Sequence, residues 1–476
     1  LRVELKWRTI ELLDQSVMRS SNRQRSCPGP IGRREFLQAG LLASTGLSLA
    51  DILRLKAQSG PATAEPAVIV LYLHGGPSHL ETYDLKPLAP VEYRSVFDPI
   101  RTNVPGIDLC ELFPLQAKIA DKLALVRSVH HTMSSHSDGG IETMTGKTPL
   151  RPDPSSQSKS DHPDLGSIAS RVLGPHPDAM PRYVAMPRSL YMTRPAYLGL
   201  HHGPFEVGDP SARNFKVSSL QLAAGTDGQG LANRKSLIEQ FDRLRAGFDL
   251  RGNLEGVDRF RDLAFDMLTG PKVARAFNLE LEEPALRDRY GRHLWGQACL
   301  LARRLAEAGT TVVSLYIDAA KSGPEYTNWD DHIMNAGRPG HFALYMRNRL
   351  PYLDQALAAL VEDLHERGID RRVMVAAFGE FGRTPRLSQN ANGTGRDHWP
   401  DAQSVLFAGG GLKTGIAVGA TNARGEYPVE RPLTPKDVLA TIYNHLGIDR
   451  EQAFPDYSGR PVPVLSEGAP ISELLA

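Results

Sequence analysis

Three short stretches in the last third of the chain carry residue types that bind metal ions. They are Asn328-Trp329-Asp330-Asp331-His332, Gly379-Glu380-Phe381-Gly382-Arg383-Thr384-Pro385 and Gly395-Arg396-Asp397-His398-Trp399-Pro400. Carboxylate oxygens suit magnesium and calcium, while zinc and manganese also accept imidazole nitrogen. Asp330 and His332 stand two apart, a spacing that puts both on one face of an extended segment. Glu380 follows an apolar run in a glycine-framed turn, and Asp397-His398 falls in a loop between Gly395 and Trp399-Pro400. An earlier acid, Glu81, lies in the turn after the first strand-like run. We therefore expect Glu81, Asp330, His332, Glu380 and His398 to hold a divalent cation: zinc, manganese, magnesium or calcium. Such a site fits a metal-dependent hydrolase.

Residues this far apart meet only if a scaffold gathers them. Ala67-Val68-Ile69-Val70-Leu71-Tyr72-Leu73, bounded by Pro66 and by His74-Gly75-Gly76-Pro77, reads as a buried central strand ending in a turn. Further strands are expected over 123–129, 310–317, 372–378 and 404–408. Helices are expected over 231–248, 254–268, 283–308 and 341–367, the last ended by Gly368. A final helix runs to Leu446, with Thr434 as N-cap, Pro435 in its first turn and Gly447 as its stop. Strands alternating with long helices predict an α/β protein with a doubly wound, mostly parallel sheet. Ligands bind such sheets beyond the carboxyl ends of the strands, where Glu81 and Glu380 are expected. Residues 150–230, rich at first in Pro, Ser, Asp and Gly, are expected as an irregular insertion able to wall a cleft.

The stretch from His130 to Gly140, dense in His, Ser and Gly, runs into Ile141–Gly146, read as a helix start aimed at an anion. His136 and Ser137 are its functional candidates. One of His130 and His131 is expected to be structural.

Bulk properties narrow the class. A chain of 476 residues is long for one ordinary domain but fits one large α/β domain with insertions. A net charge of +1 gives no support for a nucleic-acid partner. Cys27, Cys110 and Cys299 are too scattered for a disulfide framework or a cysteine-based zinc site. No apolar run reaches the roughly 20 residues that span a bilayer, so no stable membrane span is expected. Residues 1–60 read as an N-terminal extension and export signal, with Met18 as a plausible start. Gly32-Arg33-Arg34-Glu35-Phe36-Leu37 followed by the apolar run 39–49 resembles a twin-arginine signal. This predicts the twin-arginine translocase as a partner and a periplasmic or extracellular location. Residues 61–476 form the expected functional domain.

Three alternatives fail. In Gly140-Ile141-Glu142-Thr143-Met144-Thr145-Gly146-Lys147-Thr148 five residues separate the glycines where a P-loop needs four. His74-Gly75-Gly76-Pro77 suggests an oxyanion turn, but no Gly-x-Ser-x-Gly elbow accompanies it. The Cys/Ser-x-Pro/Ala-x-Arg context that formylglycine sulfatases need is matched only by Ser167-Ile168-Ala169-Ser170-Arg171, away from the candidate motifs.

The combination of Arg-Arg-Glu-Phe-Leu (33–37), His-Gly-Gly-Pro-Ser-His-Leu-Glu-Thr-Tyr-Asp (74–84), Trp-Asp-Asp-His (329–332), Gly-Glu-Phe-Gly-Arg-Thr-Pro (379–385) and Gly-Arg-Asp-His-Trp-Pro (395–400) resembles the bacterial DUF1501 family. That family belongs to the alkaline-phosphatase-like, sulfatase-like superfamily, and the resemblance runs from about Gly32 to the C-terminus. It implies an alkaline-phosphatase-like three-layer α/β/α sandwich. By position, Glu81 stands where the family usually has Asp, and Asp330 and His332 match its Trp-Asp-Thr-His, with Asp331 replacing Thr. Glu380 falls where the superfamily's phosphatases have an Asp-His pair, and His398 resembles the late metal-binding His. The Ser135–Gly146 loop resembles the nucleophile loop; counting back from Thr145-Gly146 lands near His136, with Ser135 and Ser137 on either side. The implied activity is hydrolysis of a phosphate or sulfate ester, on a small molecule or a polysaccharide. Ser137, Ser135 or water would attack in line while Arg396 or Arg383 holds the non-bridging oxygens. The rival expectation, favoured by the altered metal set, is an exported binding or structural protein on the same fold.

Overall fold

The apolar run after Pro66 forms strand β1 (Ala67–Tyr72), and all of its residues are buried. Burial on both faces explains why the run does not alternate with polar residues. Ala67, Ile69 and Leu71 pack into one core, and Val68, Val70 and Tyr72 into another. The first core also takes in helices α3 (Leu294–Ala308) and α4 (Phe342–Glu366); the second takes in α1 (His136–Thr145), α2 (Leu165–Leu173) and α5 (Pro435–Leu446). The result is a sheet between two helical layers, the α/β/α sandwich that the resemblance implies. Truncating a fully buried residue such as Leu71 to Ala would cost about 2–5 kcal/mol.

The computed structural model describes residues 65–217, 270–318, 328–335, 338–391 and 393–475. The expected export signal and the helices expected over 231–248 and 254–268 lie outside the described residues. Residues Glu65–Ala476 make one compact unit. The other strands used below are β2 (Leu123–Val129), β3 (Tyr183–Met186), β4 (Phe205–Glu206), β5 (Val312–Tyr316), β6 (Val373–Phe378), β7 (Gly382–Arg383), β8 (His398–Trp399), β9 (Gln403–Gly409) and β10 (Ile416–Val418). The main sheet has the order β10-β2-β9-β6-β1-β5-β3-β4. Only β9 runs against its neighbours. In the register of the three central strands, Tyr72 lies opposite both Tyr316 and Phe378. The segments leaving β1, β5 and β6 therefore emerge together on one edge.

Two expectations change. The stretch expected as an irregular insertion supplies α2 and two sheet strands, β3 and β4, before running on as loops to Val217, the last described residue there. These strands are too short to announce themselves, but β3 is buried because it pairs with β5. The single helix expected over 283–308 is two, Pro284–Tyr290 and α3, broken at Gly291, whose φ of +94° no helix accommodates. The final helix has its expected Thr434 cap, with Asp437 completing a capping box.

Candidate metal centre

Helix α1 begins five residues earlier than the sequence suggests. Ser135 is extended and its hydroxyl accepts from the Asp138 amide at 3.4 Å, so His136 becomes the first helical residue. Behind it Gly139 lies against Glu380, and a Cβ there would come within 3.1 Å of Glu380. The loop bearing Asp330 and His332 is pinned by Trp329. That ring is buried, stacks on Trp295 at 6.0 Å and donates to the Ile317 carbonyl at 3.1 Å. The Trp329 amide donates to the His74 carbonyl at 3.0 Å. Gly75 must be glycine: φ is +112°, and a Cβ would lie 2.4 Å from the Asp330 nitrogen. His398 is held by the two-stranded ribbon β7–β8, opposite Arg383.

These elements bring His136, Asp330, His332 and His398 together, with one ligand atom from each within 4.8 Å of the others. Asp330 Oδ1 lies 3.3 Å from Nε2 of His136, 2.9 Å from Nε2 of His332 and 3.1 Å from Nε2 of His398. The Nε2 atoms of His332 and His398 are 3.0 Å apart. Each ring's other nitrogen faces an oxygen acceptor. His136 Nδ1 meets Glu380 Oε1 at 2.6 Å, His332 Nδ1 meets Asp397 Oδ1 at 2.7 Å, and His398 Nδ1 meets the Ser134 carbonyl at 2.6 Å. Carboxylate and carbonyl oxygens only accept, so each Nδ1 carries the proton. In the neutral rings, then, three Nε2 lone pairs converge on a carboxylate. Only positive charge at their centre, a cation or further protons, makes that arrangement favourable.

The titration behaviour says the same. Burial disfavours a charged His136, yet its hydrogen bonds to Asp330 and Glu380 outweigh this and raise its pKa to about 9. Burial likewise opposes charge on His332, but Asp330 overcomes it and the pKa is raised. His398 shifts down, because burial outweighs Asp330, and Arg383 and His136 repel a further positive ring. The Asp330 carboxyl is held far below the usual range: burial alone would raise it, but the three imidazoles and Arg383 dominate. Glu380 is buried too, and His74 and His136 bring it down to about 2.

Other expected site residues are placed elsewhere. Glu81 is fully buried, and its Oε1 accepts from Arg396 at 2.8 Å and from the Val96 amide at 3.2 Å, so its charge is matched by an arginine outside the cluster. Arg396 also donates to the carbonyls of Thr384 at 2.9 Å and Arg94 at 3.0 Å, so its guanidinium anchors a loop. Arg383 donates to Asp330 at 2.6 Å and to the Gly76 carbonyl at 3.0 Å, which likewise commits its guanidinium. Ser137, expected as a nucleophile, is fully buried. Ser135 is spent on capping α1, and His136 joins the cluster instead of flanking a nucleophile. At the start of α1, the Asp138 amide goes to Ser135 and the His136 amide to Ser156 Oγ at 3.2 Å, so protein groups occupy donors expected to face an anion. Glu380 touches the cluster from outside, through His136.

Residues 65–475 match the model of the family described as "Protein of unknown function (DUF1501)". The chain belongs to the DUF1501 family. Among solved structures, this DUF1501 chain is similar to the PsFucS1 sulfatase from Pseudoalteromonas sp., at 13% identity and a TM-score of 0.39, covering 88% of this chain and 72% of that one. A mutant form of the alkaline phosphatase PafA is 10% identical with a TM-score of 0.42, covering 87% and 100%. The lipoteichoic acid synthase LtaP from Listeria monocytogenes is 10% identical with a TM-score of 0.36, covering 86% and 78%. None of the curated proteins matches the DUF1501 chain.

Three participants escaped the sequence reading of this DUF1501 domain. Asp397 and the Ser134 carbonyl each fix a ring, and His74 Nδ1 stands 3.5 Å from Glu380 Oε1. Asp397 sits beside His398 in the quoted motif, so its place was visible while its partner, His332, was not. Of His130 and His131, one of which is expected to be structural, His131 is buried and its Nε2 lies 2.6 Å from the Glu380 carbonyl.

Proposed function

We propose that this protein is an exported, metal-dependent hydrolase of phosphate or sulfate esters. The observation behind this reading is the convergence of three imidazole nitrogens and the Asp330 oxygen, each ring fixed from behind. The donor set fits zinc or a neighbouring transition metal better than calcium or magnesium, which prefer oxygen ligands. A cation bound there would polarise an ester oxygen and make a bound water acidic. His136, His332, His398 and Asp330 would hold it, and Arg383 would hold Asp330. Glu380 is matched by His136 and does not serve as a ligand in this reading, and Glu81 is left to Arg396. With Ser137 buried and Ser135 capping a helix, water is the nucleophile. Export by the twin-arginine translocase to the periplasm or beyond is supported by Arg33-Arg34 and the apolar run after it. Among the described residues no helix is long and apolar enough to cross a membrane.

The test is elemental analysis of purified protein together with hydrolysis of p-nitrophenyl phosphate, bis(p-nitrophenyl) phosphate and p-nitrophenyl sulfate. We expect about one equivalent of metal per chain and turnover of at least one ester; His332→Ala and His398→Ala should weaken metal binding and abolish the turnover.

One observation favours a second reading, a metal-binding protein without turnover. Four protein donors make a closed set, and structural zinc sites are closed whereas catalytic ones keep a position open. Full metal content with no hydrolysis of any of the three esters would select it.

A further inference from the structure

We propose that Asp397 is a positioning residue of the metal centre, acting on the cation through His332. This rests on the cluster being a metal centre and is independent of ester hydrolysis. Asp397 is not itself placed as a ligand. Its Oδ1 lies 2.7 Å from His332 Nδ1, the nitrogen on the far side of the ring from the Nε2 that faces Asp330. A carboxylate there fixes which nitrogen is protonated, sets the ring's rotation and makes Nε2 a better donor.

The surrounding chain is built to present that carboxylate. The Thr384 amide donates to the Asp397 carbonyl at 2.9 Å, and the Asp397 amide donates to Thr384 Oγ1 at 3.0 Å. One residue earlier, the Arg396 amide donates to the Asp331 carbonyl at 2.8 Å while its side chain is anchored on buried Glu81. One residue before that, Gly395 lets the strand lie against His332: a Cβ would fall 2.1 Å from the His332 carbonyl carbon. Gly395-Arg396-Asp397-His398 thus divides its labour: close approach, anchor, orienting carboxylate, ligand. The backbone is fixed without help from the Asp397 side chain, which is 56% exposed. Its interaction with His332 is what its removal would change.

The test uses the full chain, stripped with a chelator and titrated with cobalt(II) against a chromophoric competitor, with the visible cobalt spectrum recorded. Asp397→Ala is expected to weaken cobalt binding about 10- to 100-fold and to shift the spectrum. Asp397→Asn, which keeps an acceptor oxygen without the charge, should fall between the two. In a His332→Ala background, adding Asp397→Ala should change the affinity no further, since the ring it acts through is gone. Wild-type affinity and spectrum in Asp397→Ala, or an undiminished effect in the His332→Ala background, would overturn the proposal. So would a wild-type chain that takes up no cobalt. Should Asp397→Ala lower the thermal midpoint of the stripped protein, the same cycle run with Asp397→Asn decides. None of these readings needs ester turnover, so a protein inert on every ester still tests Asp397.

Discussion

Two charged clusters among the described residues, one buried and one half-buried, are built on opposite plans. On α3, Arg303 is 1% exposed and lies 2.9 Å from Glu282, 2.8 Å from Asp363 and 2.9 Å from Glu307. Tyr290 donates to Asp363 at 2.8 Å, and Arg367 donates to the other oxygen of Asp363 at 2.8 Å. There every charge meets its opposite within the fold. At the sheet edge, by contrast, His136, His332 and His398 turn their Nε2 atoms toward Asp330, which already pairs with Arg383, and the rings are completed only by added protons or a bound cation. Burial of charge alone therefore does not mark a site; incompleteness does.

The comparison can be broken from either side. The largest effect should come from Arg303→Ala, which leaves the buried Glu282 and Asp363 with only Arg304 and Arg367 as cationic partners and should destabilise the fold by about 3 kcal/mol while leaving metal stoichiometry unchanged. Chemical denaturation with parallel metal analysis checks both halves. Asp330→Ala should do the reverse, abolishing measurable metal uptake while the chelator-stripped protein still folds. For the unmutated chain, metal at a hundredfold excess over Kd should stabilise by about 2.7 kcal/mol, a gain that a chelator removes and that Asp330→Ala lacks. The pH dependence sharpens the contrast. His136 holds its extra proton below about 9 in the metal-free cluster, and a cation must displace it. Metal affinity should thus fall on acidification, roughly tenfold per pH unit for each proton displaced. Calorimetry in buffers of different ionisation enthalpy should register the released protons, whereas heats independent of the buffer would contradict the assignment. The smallest effect is expected at an exposed pair: Arg292→Ala, facing Asp288 on the surface, should change stability by no more than about 0.5 kcal/mol.

The scaffold was legible where the physics is local. The unbroken apolar run of β1 and the capped helix α5 announce themselves because burial and capping leave marks within a dozen residues. The break at Gly291 was visible only as a single glycine, and β3 and β4 are strands mainly because β5 lies beside them. At the site, Asp330, His332 and His398 were readable from their turns. Glu81 was not, because the charge that neutralises it comes from Arg396, far along the chain. The burial of Ser137 was not legible because α1 was expected to start at Ile141. With the helix beginning at His136, one step along it turns His136 toward the cluster and Ser137 into the core.

The four converging side chains come from α1, from the segment after β5 and from the ribbon before β9, so they bracket most of the domain. A nascent chain released before His398 has at most three of them, and a chain with its strands misordered has fewer side by side. Capture of the ion would accordingly be a late event in maturation, and retained metal would serve as a checkpoint that the sheet has closed in the right order.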